Sequence, residues 1–465
     1  MNKTNGLVWF KNDLRLLDNE VLCKAIASCD AILPVYIFDE RQFKKLHLGL
    51  PKADFNRFEY LVQTLAVLRS NLKELGSNLL IKIGKPEDII PQLISNYHIE
   101  SVFAEQEYAP EELTIASRVA KNVQVPCNYI WGKTLYHIDD IPYDIEAVPL
   151  TSKAFRTNTT KKATVRNLFD IPDHIKTLDL DNWGKLPNSE DFNLNRGSAK
   201  ELFMPAGEDE ALKRLAYYTK ESELLTSYKW TRNKSLGMDY SSKLSPYLAV
   251  GALSPRTIYF SVKKYEEHIK KNISTWWLLF EVIWRDFFTF KGMRMGSSIF
   301  KTAGFKNKDL DFENDSNIFK KWCAGKTGIP FIDAHMRQLN ETGFMSNRGR
   351  VNCASYLIHD LKVDWTWGAS YFESKLIDYD VTSNWMNWHM QAYETWYTNP
   401  VNQSIKYDAT DFLKKWIPEL REVKGELIHI PWKIKSTKIE YIKPIEVYDK
   451  WSRAENKILK LVNGK

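Results

Sequence analysis

The residues best suited to chemistry lie between positions 343 and 390. A turn rich in cations and amides is followed by an apolar helix, by two acids at Asp378 and Asp380, and by several tryptophans. A buried indole needs a partner for its N–H group, and a charge near a core has to be paired. The segment therefore predicts a polar cavity with aromatic walls, built on helices.

A second group of polar residues leads into a helix start at Ser245-Pro246. The hydroxyls of Ser241, Ser242 and Ser245 can donate to phosphate oxygens, and a helix N-terminus favours anions. Ser245-Pro246 alone is typical of an ordinary helix cap. The group is a candidate phosphate site, with that structural alternative left open.

A third group is carried by the segment 276–286, WWLLFEVIWRD. On a helix Glu281, Trp284 and Arg285 share one face, because residues three and four apart are neighbours. An ion pair between Glu281 and Arg285 over a core tryptophan would explain the same spacing without any ligand. The spacing alone does not decide between these two readings.

The elements that must position these residues differ between the two halves of the chain. Apolar, β-rich runs recur at 6–10, 31–38, 78–84, 101–105 and 125–131, with helical periodicity at 54–75, 86–97 and 110–122. This alternation predicts a doubly wound parallel sheet. The loop after the first strand, KNDLRLLDN, has no glycine, so the usual dinucleotide cradle is missing there.

The remainder of the chain predicts a connector and a helical domain. Between 136 and 207 the sequence has no sustained period, which is typical of a segment crossing the surface. From 208 to about 416 it is helical almost throughout, and the tail from Gly425 is mixed, with a basic end. The predicted organisation is an α/β domain (1–135), a connector (136–207) and an all-α domain (208–465).

Composition restricts the class of protein. A net charge of +7 and a pI near 8.8 favour a polyanionic partner or an anionic cofactor, although a spread surplus can mean only solubility. Nine of the 16 tryptophans lie between positions 276 and 396, in the helical half. Five scattered cysteines, no apolar signal region and no transmembrane run favour a cytoplasmic protein, or an organelle form without its targeting peptide.

Several motifs together identify a family. The runs TGFMSNRGR (342–350), the pair Asp364-Trp365, and LIDYD (376–380) followed by SNW and NW resemble the flavin-binding core of the photolyase/cryptochrome family. Within it, the DASH-type cryptochromes, which act as single-stranded-DNA photolyases, are the branch that the chain resembles most. The resemblance implies an FAD-binding all-α domain behind an α/β antenna domain.

The resemblance implies roles for the cofactor-facing residues. Tyr228 and the three serines match the positions that hold the FAD pyrophosphate, and Arg350 is expected to bridge to Asp378. Asn384 matches the residue opposite the flavin N5, where an amide can accept or donate a proton. The full set of expected cofactor contacts is Tyr228, Ser241, Ser242, Ser245, Arg285, Asn347, Arg350, Asp378, Asp380 and Asn384. An ion-pair network that stabilises a helix junction would use some of the same arginines and acids.

It also implies a substrate pocket. Glu281 matches the residue that hydrogen-bonds a damaged pyrimidine dinucleotide, and Trp284 matches its apolar platform. A flipped-out dinucleotide requires such a polar anchor and stacking wall. Arg232 and Arg348 match positions that contact DNA phosphates. Met390 stands where an aromatic residue is usual, which removes one wall of the pocket but leaves a polarisable contact.

The positions expected to donate electrons to the flavin match those of the family only in part. Trp388 and Trp365 match the inner two tryptophans through which family members reduce the excited flavin. The outer position is Phe312, a poor donor, so Trp322, Trp367 or Tyr371 substitutes for it, or photoreduction is weak. Tryptophans on helices also serve simply as core residues.

Two further features bear on the subfamily and the antenna. The segment QAYETWYTNPVNQ (391–403) is shorter than the glycine-rich loop of DASH proteins and lacks its arginine. Glu112 falls where an acidic contact to an antenna chromophore, such as the folate 5,10-methenyltetrahydrofolate, is expected. A solvated acid in the first turn of a helix is the alternative.

The resemblance therefore implies a deoxyribodipyrimidine photo-lyase. Reduced FAD would drive the splitting of cyclobutane pyrimidine dimers held by Glu281 and Trp284 in UV-damaged, single-stranded or looped DNA. A monomer without a metal site or membrane attachment is expected. The alternative is a cryptochrome photoreceptor that binds nucleic acid or protein partners without repair; Met390 and Phe312 favour it, whereas Glu281, Trp284 and Asn347 do not.

Overall fold

The computed structural model describes residues 4–46, 48–394, 397–435 and 440–462, and its N-terminal part is a parallel sheet with helices on both faces. The strand order is β3-β2-β1-β4-β5, so the connection from β3 to β4 crosses to the other side of β1. The strands are β1 (Asn5–Phe10), β2 (Ala31–Phe38), β3 (Leu80–Ile83), β4 (Ile99–Glu105) and β5 (Cys127–Ile130). The predicted doubly wound sheet is confirmed, and the reversal between β1 and β4 marks the edge where such folds bind ligands.

Four helices cover this sheet: α1 (Glu20–Ser28), α2 (Phe55–Glu74), α3 (Pro86–Tyr97) and α4 (Pro110–Asn122). The last three agree with the predicted periodic segments to within a residue. Proline at the first position of α3 and α4 is preorganised for helix and loses no hydrogen bond there. The helix α1 was not predicted from periodicity; it starts at Asn19, whose side chain accepts from the Leu22 N–H.

The connector contains more structure than the sequence predicts. It forms a helix, α5 (Ser152–Lys162), of which only Phe155 and Thr159 are buried, and this explains why no apolar period was visible. The connector then returns to the sheet, where the Ile32 N–H donates to the Lys176 carbonyl at 3.0 Å. The sequence predicted a connector here and did not indicate these two ordered stretches.

The C-terminal half is helical, as predicted, but its helices are interrupted by π-turns at Tyr217–Glu221 and Tyr356–Asp360. Its helices are α6 (Glu208–Ala216), α7 (Tyr228–Thr231), α8 (Ser245–Ala249), α9 (Pro255–His268), α10 (Ile273–Met295), α11 (Ser316–Cys323), α12 (Pro330–Thr342), α13 (Asn347–Ser355), α14 (Trp365–Lys375), α15 (Val381–Tyr393), α16 (Pro400–Lys406), α17 (Thr410–Trp416) and α18 (Ser452–Val462). The long helix α10 contacts α5, α7, α9 and α15, so it organises this half.

The tail closes against the helical half. Short 3₁₀ turns lead to α18, an amphipathic helix that buries Ala454 and Ile458, with Trp451 fully buried just before it. The mixed tail thus ends in a packed helix. Across the described ranges, no helix combines the length and apolar character that a bilayer crossing requires. No group of three metal-ligating side chains occurs among the same residues.

Candidate functional site

A cavity of about 330 Å³ lies inside the helical half, between α7, α8, α10, α13 and α15. Most of the residues singled out in the sequence line it, although they are spread over about 160 positions of the chain. They are Tyr228, Arg232, Ser241, Ser242, Ser245, Glu281, Trp284, Arg285, Asn347, Arg350, Asp378, Asp380, Asn384, Trp388 and Met390. Glu281 and Asn384 therefore face one compartment, which a shared ligand and substrate site requires.

Asp378 joins three elements at one end of the cavity. Its carboxylate accepts two hydrogen bonds from the Arg350 guanidinium, at 2.9 and 2.7 Å, and one from the Ser245 hydroxyl at 2.7 Å. The Asp378 side chain is only 2% exposed, whereas that of Arg350 is 27% exposed. The predicted Arg350–Asp378 pair is confirmed, and it ties α13 to α8 across the cavity.

Asp380 and Arg285 form a second polar region of the cavity wall. Asp380 caps α15 by accepting from the Ser383 N–H at 2.8 Å, and it accepts from the Tyr108 hydroxyl at 3.1 Å. Arg285 lies 3.8 Å from this carboxylate and donates to the Lys133 carbonyl at 2.5 Å. Although burial opposes ionisation, Arg285 and the Ser383 hydrogen bonds hold the pKa of Asp380 below its ordinary value.

Glu281 is paired with Arg232 of the segment after α7, not with Arg285 one turn along its own helix. The intrahelical pair considered from the spacing does not form, because Arg285 is held by Lys133 and Asp380. Burial raises the pKa of Glu281 while Arg232 opposes the rise. The pair lies at the mouth of the cavity, where both side chains remain partly exposed.

Asn384 and Trp388 follow one another on the inner face of α15. The Asn384 amide donates to the Ala369 carbonyl at 3.0 Å, which fixes its orientation toward the cavity. Trp388 is 3% exposed, and its ring centre lies 5.0 Å from that of Phe372 and 6.2 Å from that of Trp322. Met390, half-buried, completes this wall.

Two of the expected residues do not line the cavity. Trp365 is fully buried behind it, with its indole donating to the Thr302 carbonyl at 2.9 Å. Arg348 lies outside the wall, where it donates to the Asn233 side chain at 2.8 Å and covers the Tyr407 ring. The segment 391–403 includes two residues, 395 and 396, that lie outside the described part of the chain.

Gly368 determines where the Trp388 ring can lie. A Cβ at this helical position would come within 2.2 Å of Trp388 Cη2 and 2.7 Å of Leu357 Cδ2. We expect Gly368→Ala to displace the indole and to lower the free energy of unfolding by about 1–3 kcal/mol. Denaturant unfolding and near-UV circular dichroism measure the two effects. Unchanged stability together with an unchanged tryptophan spectrum would contradict this packing.

Sequence reasoning missed two basic residues beside the three serines. Arg214 of α6 donates to the Ser242 and Ser241 carbonyls at 2.9 and 3.1 Å and so fixes this loop. Lys243 lies within the loop, 3% exposed, and its amino group donates to the Ser241 hydroxyl at 2.8 Å. Lys243 could have been found, since it stands between the serines; Arg214 had no local signal.

A larger cavity, of about 650 Å³, lies at the carboxyl edge of the sheet and reaches the helical half. Lys133 forms ion pairs there with Glu105 at 2.6 Å and Glu107 at 3.2 Å. Glu112 lines this cavity and not the first one, and burial raises its pKa to about 7. Glu112 is half-buried in the first turn of α4, so its position agrees both with a chromophore contact and with the alternative of an acid at a helix start.

The side chains of the first cavity suit one kind of ligand. Hydroxyls, a buried lysine and an arginine at one end are donors for a diphosphate. Trp284, Phe288, Trp388 and Phe372 provide flat apolar walls for an aromatic ring system. A carboxylate and an amide at Asp380 and Asn384 can bond the polar edge of such a ring. The lining thus matches the chemistry of a dinucleotide that carries a flat heteroaromatic group.

Two family profiles match the chain. Residues 277–457 match the FAD binding domain of DNA photolyase, and residues 6–173 match DNA photolyase. The first range contains most of α10 and all of α11 to α15, and these helices carry much of the cavity wall. The second contains nearly the whole sheet and the part of the larger cavity that the N-terminal domain provides.

Whole-chain comparisons agree with these profiles. Cryptochrome DASH of Xenopus laevis is 39% identical, over 96% of this chain and 90% of that protein. The crystal structure of the Synechocystis cryptochrome has a TM-score of 0.91 at 38% identity, covering 98% of this chain and all of that one. A class III photolyase of Agrobacterium tumefaciens has a TM-score of 0.83 at 25% identity, covering 100% and 98%.

Proposed function

This chain belongs to the photolyase and cryptochrome family, and from that premise we propose that it splits cyclobutane pyrimidine dimers in DNA under blue light. Single-stranded or looped DNA is the proposed substrate. The observation that supports this most is the shared cavity. Glu281 and Trp284 at its mouth and Asn384 deeper inside all line one compartment of the helical half.

FAD is the cofactor of this domain, and when bound it supplies the light absorption and the electron that repair requires. The serine loop and Lys243 would hold its diphosphate, with Arg350 fixed by Asp378. Asp380 and Asn384 would bond the polar edge of the ring system. Because Asn384 is anchored to the Ala369 carbonyl, its amide can offer a hydrogen bond to the ring edge without moving.

The mouth of the cavity would receive the lesion. Trp284 offers a half-buried ring against which an extruded pyrimidine pair can stack, and Glu281 can bond the base edges. Arg232 neutralises Glu281 in the free protein. When a strand binds, its phosphates can compete for Arg232, which releases the carboxyl group toward the bases.

Trp388 and Trp365 remain the proposed inner electron donors. We propose Trp322 as an additional donor beside Trp388, because its ring centre lies 6.2 Å from that of Trp388; it is fully buried and so does not take the outer place of Phe312. Tyr371 lies 5.7 Å from Trp322 and is a further candidate. Trp322→Phe should slow light-driven reduction of the protein without changing its FAD content.

The larger cavity is the proposed antenna site. It lies at the switch point of the parallel sheet, and Glu112, Lys11 and Lys133 give it both acidic and basic groups. A folate such as 5,10-methenyltetrahydrofolate carries amide and carboxylate groups that suit such a lining. Glu112→Ala should lower the folate content of purified protein and leave its FAD content unchanged.

Lys243 should make FAD binding depend on pH. Burial, together with Arg214 and Arg350, lowers the pKa of Lys243 to about 6 in the free protein, despite the nearby Asp239. A bound diphosphate favours the charged amine, so binding takes up a proton above pH 6. FAD affinity should then fall as pH rises above 6, by up to about tenfold per pH unit.

Calorimetry of FAD binding to apoprotein at pH 8, in buffers of different ionisation enthalpy, measures this proton uptake. Lys243→Met should abolish the uptake and flatten the pH dependence. Equal proton uptake by wild type and by this variant would exclude Lys243 as a diphosphate contact.

The function itself is tested by illuminating the FAD-loaded protein with dimer-containing oligonucleotides and measuring restored thymines. We expect restoration in blue light and none in the dark, with single strands repaired faster than duplexes. No restoration in either substrate, from protein that retains FAD and photoreduction, would instead favour a photoreceptor without repair. The substitution of an aromatic wall residue by Met390 is the feature that favours that second function.

A further inference from the structure

A row of half-buried aromatic side chains leads out of the cavity along α10. Trp284 lines the cavity, and Phe280 and Trp277 continue the same helix face toward the N-terminus of α10. The ring centres of Trp284 and Phe280 lie 5.5 Å apart, and those of Phe280 and Trp277 lie 4.8 Å apart. Beyond Trp277, on α7, Trp230 is 69% exposed. We call these four residues the aromatic track.

Cations alternate with the rings of this track. The Arg232 guanidinium lies 4.6 Å from the Trp277 ring, and Lys229 lies 4.6 Å from Trp230 and 5.9 Å from Trp277. From the other side Arg156 of α5 lies 4.7 Å from the Phe280 ring. The helix α5, SKAFRTNTTKK, carries four basic residues and no acid. The track is therefore bordered by positive charge on both sides.

We propose that the aromatic track binds the unpaired nucleotides that flank the lesion in a single DNA strand. Rings interleaved with cations are the combination that recognises single strands, because bases stack on the rings while phosphates pair with the cations. A duplex keeps its bases stacked on each other and cannot use the rings. The track thus selects single-stranded over duplex DNA, and this inference rests on the proposed function.

The dimensions agree with such a strand. Trp284 stands seven positions after Trp277 in α10, which spans about 10 Å along a helix. This is the length of about three stacked nucleotides at 3.4 Å each. Since the track begins at the cavity wall, a strand lying on it would place its next bases at the mouth. The connector helix α5 then becomes part of the DNA-binding surface through Arg156.

The test measures binding of undamaged oligodeoxythymidine to the FAD-loaded protein in the dark, at several salt concentrations. Trp230→Ala removes an exposed ring without disturbing the core, and Arg156→Ala removes one cation. Leu113→Ala and Arg453→Ala, on α4 and α18, are matched controls at sites away from the track. The FAD content of each variant shows that it is folded.

We expect Trp230→Ala to weaken strand binding about 5- to 100-fold at every salt concentration, because stacking does not release counterions. Arg156→Ala should reduce the slope of log affinity against log salt by about 0.7, the value for one phosphate of a single strand. Neither control variant should change affinity or slope.

Wild-type affinity and slope in both track variants would overturn the inference, even if the protein repairs dimers. If the protein restores no thymines but both variants still lose strand binding as described, the proposed function fails and the track remains supported. Equal losses for duplex and single-stranded DNA would overturn the proposed selectivity.

Discussion

Replacing Asp378 by alanine is expected to cost the protein most of its FAD and about 3 kcal/mol of its free energy of unfolding. Removing one partner of a buried ion pair costs roughly 3–5 kcal/mol, because the other charge is left without a counter-charge. The lower end applies here, since the Arg350 side chain is still 27% exposed. The Ser245 hydroxyl loses its acceptor as well.

The loss of cofactor follows from the same contacts. With Asp378 absent, Arg350 and α8 are no longer tied together, and the end of the cavity proposed for the diphosphate loses its shape. We expect at least a 100-fold weaker FAD affinity, measured by titration of the apoprotein. Asp140→Ala, which breaks the partly exposed Arg166–Asp140 pair in the connector, should cost only about 0.2–1 kcal/mol and leave FAD bound. Similar effects of the two variants would contradict the role assigned to Asp378.

Glu281→Ala is expected to lower dimer splitting roughly 10- to 100-fold while FAD stays bound. Hydrogen bonds from a charged or ionisable group to a ligand are worth about 1.5–3 kcal/mol, and each 1.4 kcal/mol is tenfold. The carboxyl group lies at the cavity mouth, where it pairs with Arg232, away from the serine loop and Lys243. Restored thymines per absorbed photon, at subsaturating dimer, measure the effect.

Glu281→Gln provides the conservative comparison. Its amide can still bond a base edge, so this variant should recover part of the lost activity. Glu266→Gln, on α9, changes the same group where it is bonded to Lys263 and Thr275, and should repair normally. Full repair by Glu281→Ala would show that the lesion is held elsewhere.

Much of the fold could be predicted from the sequence because its signals are local. The strand at 31–38 and the helices at 86–97 and 110–122 were predicted to the residue, since apolar runs end at prolines and polar turns. The helix α5 could not be predicted, since it buries only Phe155 and Thr159 and is otherwise polar. The helix packs against α10 with these few residues, and this contact cannot be read from the sequence of α5 alone.

The site shows the same division between local and distant information. The resemblance of the motifs predicted an ion pair between Arg350 and Asp378, and the structure contains it as a hydrogen-bonded pair. The spacing of Glu281 and Arg285 suggested the wrong pair, because the competing partners Arg232, Lys133 and Asp380 are distant in sequence. Likewise the contact of Trp322 with Trp388 connects residues 66 positions apart, and helical periodicity could not indicate it.

The central claim is that one cavity of the helical half holds FAD and also receives an extruded pyrimidine dimer. A crystal structure of the FAD-loaded protein, grown in the dark with a single strand containing one thymine dimer, tests it most directly. The account predicts the dimer inside the mouth, flat against Trp284, with Glu281 within hydrogen-bonding distance of its base edges. The account would be contradicted by a dimer that is not extruded and lies on another surface of the protein, with Glu281 still paired with Arg232.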